Sequence, residues 1–119
     1  MSRNRGRRYE LLLAQYLRAW WPAAEAPPPS RPGSDVLGTP GIVWENKTAR
    51  EFSPLEFTRQ ARRHAGGTGD QPVVVYWPPQ VGEAQAGNTL AIVPLKHMIR
   101  LLIAAGYGPD ATPERTLPQ

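Results

Sequence analysis

Residues 35–47 read DVLGTPGIVWENK. The second half is β-branched and aromatic, and Gly38-Thr39-Pro40-Gly41 is turn chemistry. Ile42 to Thr48 therefore reads as a strand, and Asp35 to Leu37 as a shorter strand paired with it in a hairpin. Alternate side chains of a strand share a face. Val43, Glu45 and Lys47 then point one way, and Ile42, Trp44 and Asn46 the other. With the turn centred near Pro40, Asp35 comes opposite Glu45 or within one residue of it; the sequence leaves that register open. Facing like charges destabilise a strand pair, and a divalent cation between them reverses the sign of the effect.

Upstream, Tyr9, Leu12, Leu13, Tyr16, Leu17 and Trp20 recur at helical spacing until Pro22. Glu10 shares a face with Leu13, Ala14 and Leu17, so this helix can bring a third acid to the sheet. Residues 23–27 suit a short edge strand, and Pro27, Pro28, Pro29, Pro32 and Gly33 mark an irregular crossing. Downstream, Ser53-Pro54-Leu55-Glu56 predicts a helix start, with Ser53 as cap, Pro54 in the first turn and Glu56 completing a capping box. That helix ends at Gly66-Gly67. Phe57, Gln60, Ala61 and His64 lie on one face of it, with Arg59, Arg62 and Arg63 mostly off that face. The apolar run 72–77 reads as a central strand covered on both sides. Residues 89–93 form another strand. Pro94 opens a last helix that presents Leu95, Met98, Ile99, Leu102 and Ile103 and ends at Gly106; covering the sheet is its simplest use, a dimer contact the alternative. The fold expected is α/β (α+β): one mixed central β-sheet flanked by helices, forming a single domain over 1–107 with a loose tail at 108–119.

A chain of 119 residues has room for one domain. It has no cysteine, which excludes disulfides, thiol nucleophiles and Cys-based zinc sites. Without a secretory pattern or an apolar run of ~18 residues, the expectation is a soluble cytoplasmic protein with no membrane partner. The net charge of +4 is unevenly placed: eleven basic against six acidic residues up to His64, three against four after it. Arg5, Arg7, Arg8, Arg59, Arg62 and Arg63 fall in the basic part, which suits phosphate contacts as well as a solvated face.

Three acids (Glu10, Asp35 and Glu45) and one lysine (Lys47) form a set suited to metal-assisted phosphodiester hydrolysis. Mg²⁺ is the cation such hard oxygen donors favour, with Mn²⁺ as a substitute. Lys47 is placed to orient the attacking water and offset charge on the phosphate. His64 and His97 read as surface or rim residues. Trp20, Trp21 and Trp77 read as core or dimer contacts. Residues 66–69 lack the Lys and helix of a phosphate loop.

The order Glu10, Ser34-Asp35, Glu45-Asn46-Lys47 resembles the PD-(D/E)xK nuclease superfamily, and within it the archaeal-type Holliday junction resolvases and their phage-borne relatives. The similarity spans about residues 5–105. It takes in Arg7, Arg8 and Glu10 on the first helix, the Ser-Pro-x-Glu-x-x-x-Gln segment ending at Gln60, the strand from Gln71, and the final strand-helix unit. It implies a restriction-endonuclease-like αβββαβ core, Mg²⁺ dependence, and a homodimer that nicks four-way DNA. By position, Glu10, Asp35 and Glu45 would be the acids and Lys47 the lysine. The metal would be held by Asp35, Glu45, the Asn46 carbonyl and Glu10, and DNA by the arginines above and Gln60. Ser34 stands where the name-giving Pro would be, only nine residues separate Asp35 from Glu45, and the basic surface is Arg-based. A restriction-type or end-processing nuclease of the same fold, or a non-catalytic DNA-binding protein, are the alternatives.

Overall fold

The apolar run after Gln71 becomes the middle of the sheet. The structure, a computed structural model, describes residues 2–48 and 52–110, with side chains from Gly6 onward. In it β2 (Gln71–Tyr76) lies between β1 (Ile42–Lys47) and β3 (Leu90–Ile92). β1 runs parallel to β2, with Glu45 beside Val74 and Lys47 beside Tyr76; β3 runs antiparallel to it. Both faces of β2 are covered, as its unbroken apolarity predicts. Val73 and Val75 pack with Leu13, Ala14, Leu17, Trp44 and Trp77 on one side, and Val74 and Tyr76 with Phe57 and Ala61 on the other. Helix α1 (Ser2–Leu17) thus covers one face and α2 (Pro54–Ala65) the other. The result is a small α+β domain with a three-stranded mixed sheet.

The expected hairpin is replaced by a different device. Asp35 to Leu37 forms no strand against β1; its ladder contact is one isolated antiparallel bridge between Leu37 and Glu25. The segment still lies along the outer edge of β1, because its side chains take that strand's amides. The Trp44 amide donates to Ser34 Oγ (2.9 Å) and the Asn46 amide to Asp35 Oδ2 (2.7 Å). The Asp35 amide in turn donates to the Trp44 carbonyl (2.8 Å). Short polar side chains compete in this way with carbonyls for backbone donors. The turn also needs Gly38: its φ is +84°, and a Cβ there would lie 2.1 Å from the Ala23 carbonyl oxygen.

Three further expectations differ as well. Helix α1 ends at Leu17, before Trp20 and Pro22, and Trp20 is 59% exposed, so it is no core residue. Ser53 makes no side-chain cap on α2, and Glu56 turns towards Arg59 and Arg63 instead of closing a capping box. Pro54 in the first turn and Gly66 in the left-handed region (φ 54°) do delimit that helix as expected. Helix α3 (Leu95–Ala104) does not cover the sheet: it has no buried residue, and Leu95, Ile99, Leu102 and Ile103 are all exposed. The α1 and α2 layers already close both faces of the middle strand β2. Of the expected tail, residues 111–119 lie outside the described residues.

Candidate active site

Strand alternation sets the site. Trp44 and Asn46 face α1: Trp44 joins that core, and Asn46 Oδ1 accepts from Trp77 Nε1 (2.7 Å). Val43, Glu45 and Lys47 face α2. Glu45 is 6% exposed, and both its oxygens are engaged. Oε1 lies 3.2 Å from Lys47 Nζ, and Oε2 lies 3.0 Å from Nδ1 of His64. The Lys47 ammonium also stands 5.5 Å from the centre of the Phe57 ring.

Asp35 sits at the outer edge of β1, between the two faces. It is approached from the α1 side by Glu10, and it feels the charge of both Glu45 and Glu10. Burial pushes the Asp35 carboxyl up to about 7; Glu45 and Glu10 push the same way, and the bond from the Asn46 amide pulls it back. Within a strand residue the N–H and C=O point to the same side. The Asn46 amide points out to Asp35, so its carbonyl also faces that edge, away from β2.

Glu10, Asp35, Glu45, Asn46 and Lys47 are therefore brought together, from α1, the edge segment and β1. Among the described residues, no three His, Asp or Glu side chains stand as a ready-made metal centre. The reason is visible in the bonding: Glu45 is turned to Lys47 and His64, while Asp35 faces Glu10.

The expected DNA-contacting residues separate into groups. The Arg5 side chain lies outside the described residues. Arg8 makes two bonds to Glu83 (2.7 and 2.6 Å), and Arg7 bonds the Pro27 carbonyl and lies 3.7 Å from Glu10. Arg59, Arg62 and Arg63 line an open cleft of about 410 Å³ along α2, with Arg59 and Arg63 each 3.6 Å from Glu56. Gln60 buries its Oε1 without a hydrogen-bond partner. His97 stays at the rim, bonded to Gln71 Nε2 (3.1 Å).

Sequence reasoning missed the role of His64. It placed His64 on one face of α2 with Phe57, Gln60 and Ala61 and read it as a surface or rim residue; the side chain is indeed 36% exposed, but its ring contacts Glu45. The signal was partial, because helix spacing shows which residues face the sheet and not which strand residue they meet. In comparisons with known proteins, no family model, curated protein or solved structure matches the chain.

Proposed function

We propose that this chain is a Mg²⁺-dependent endonuclease that hydrolyses phosphodiester bonds in branched DNA, of the kind the Holliday junction resolvases cut. The observation that carries the reading is the placing of Asp35 within reach of both Glu45 and Glu10, with Lys47 beside Glu45, at the outer edge of β1. Three carboxyl groups have little reason to meet there in a pure DNA binder, since they repel phosphate.

The donor chemistry fits a hard divalent cation. Asp35, Glu45 and the Asn46 carbonyl would hold it, with Glu10 alongside, and its charge would offset the like-charge contact of Asp35 with Glu10 and Glu45. Glu45 would exchange one of its two present partners for it. Bound there, Mg²⁺ or Mn²⁺ would supply phosphate polarisation and an acidified water. The chain's own groups do the rest. Lys47 points its ammonium along the same face as Glu45 and neutralises charge on the phosphate. Arg59, Arg62 and Arg63 offer a cationic cleft to the DNA backbone.

A four-way junction carries two scissile phosphates related by a two-fold axis, and one chain supplies one acid set. Paired nicking therefore calls for a C₂ homodimer. The open apolar face of α3 is available for a second copy.

The test is a gel comparing four-way junction, fork, flap and linear duplex, with Mg²⁺ and with chelator. Junction-selective nicking that chelator stops supports the reading. Undiminished cleavage in chelator removes the metal from it. Equal cutting of linear duplex favours a restriction-type enzyme, and DNA binding without any cleavage favours a non-catalytic binder.

A further inference from the structure

We infer that His64 is a positioning residue for Glu45, fixing the carboxylate that would take the metal; this rests on the nuclease reading above. The argument starts from the burial of Glu45. A carboxylate that is 6% exposed needs donors for both oxygens, and it has two of different kinds. Lys47 rises from the same strand two residues away on a flexible four-carbon stem, and its side chain is 23% exposed. His64 comes from a separate element. Its backbone is set by α2, a helix anchored to the sheet by Phe57, Ala61 and Ala65, all buried.

The two donors therefore differ in how firmly they hold. A lysine can swing to a phosphate and release Oε1. The imidazole has two torsions, sits on a packed helix, and keeps Nδ1 at 3.0 Å from Oε2. When Oε1 turns to a cation, His64 retains Oε2 and keeps the carboxylate plane from rotating. Hydrogen bonds of this kind orient metal-binding groups, and their removal weakens metal binding by about 10- to 100-fold. The bond also fixes the ring's tautomer: Nδ1 must carry the proton, because Glu45 can only accept.

His97 bonds Gln71. Among the described residues, Glu45 has Lys47 and His64 as its charged or ring-nitrogen partners and no others.

The experiment is calorimetric titration of the full chain with MnCl₂ alone, at one pH, for wild type, His64→Ala, His64→Asn and Glu45→Gln, with folding checked by circular dichroism. The expected result is Mn²⁺ affinity about 10- to 100-fold weaker in His64→Ala. His64→Asn, whose side-chain N–H lies where Nδ1–H does, restores most of it, and Glu45→Gln binds most weakly. A His64→Ala variant that binds Mn²⁺ as tightly as wild type, while Glu45→Gln does not, overturns the positioning role and leaves the metal reading standing. Wild type that binds no Mn²⁺, or Glu45→Gln that binds it unchanged, overturns both. If His64→Ala does not fold, nitrogen-15 spectra of the wild-type imidazole decide. A protonated Nδ1 that loses its Glu45 signature in Glu45→Gln supports the bond, and a protonated Nε2 with bare Nδ1 overturns it.

Discussion

Replacing Asp35 by Asn removes a charge and keeps an oxygen for the Asn46 amide. The Asp35 carboxyl is held at about 7 in place of the ordinary 3.8, chiefly by burial. Roughly three pKa units at 1.36 kcal/mol each set a ceiling of about 4 kcal/mol on what its ionisation costs the fold. Asp35 is only half-buried, so water reaching it relieves part of this cost and leaves about 2 kcal/mol. An acid whose folded pKa lies above its unfolded value holds its proton more tightly when folded. Wild type therefore loses stability as the pH climbs from 3.8 to about 7, and the loss is complete above that. Asp35→Asn carries no such loss. In metal-free buffer at pH 8 it should exceed wild type by about 2 kcal/mol, or about 8 °C in Tm. By pH 5 the advantage should fall to about half, since the wild-type carboxyl is then largely protonated. Urea unfolding of both proteins at the two pH values, with chelator present, measures the difference. An Asp35→Asn variant no more stable than wild type at pH 8, or with an advantage that does not shrink at pH 5, would refute the argument that burial and facing carboxylates strain this site.

Gly38→Ala should cost roughly 3 kcal/mol, through a left-handed φ and a clash with the Ala23 carbonyl; a Tm within 2–3 °C of wild type, against ~4 °C per kcal/mol, would count against the tight crossing. Glu45→Gln should abolish Mg²⁺-dependent nicking while keeping or tightening DNA binding, because it removes a negative charge near phosphate; wild-type cutting by the variant would displace Glu45 from the site. Replacing Arg7 and Arg8 by Ala should lower the salt slope of DNA binding by up to roughly two. An unchanged slope would assign both arginines to their contacts with Pro27 and Glu83 alone. Light scattering should give a dimer at micromolar concentration and a monomer for Ile99→Glu, and a wild-type monomer both free and junction-bound would remove the second copy.

The face on which Glu45 and Lys47 stand was legible in the sequence, because strand alternation depends on nothing but neighbouring residues. The same holds for the buried stripe of α1 that carries Glu10, for the two-sided burial of β2, and for the Pro54 and Gly66 limits of α2. These are local periodicities, and tertiary contact only had to agree with them. The edge segment was not legible. Asp35 does come within one residue of Glu45, yet through side chains that capture the Trp44 and Asn46 amides, and a Ser or Asp in a turn-rich stretch does not announce which distant amide it will take. The His64 contact with Glu45 depends on how α2 is rotated and slid over β1, quantities that periodicity leaves free. Helix α3 shows the same limit from the other side. Its apolar stripe predicts burial, but whether a sheet face remains for it depends on how much of that face α1 and α2 already occupy, and that is a property of the packed whole.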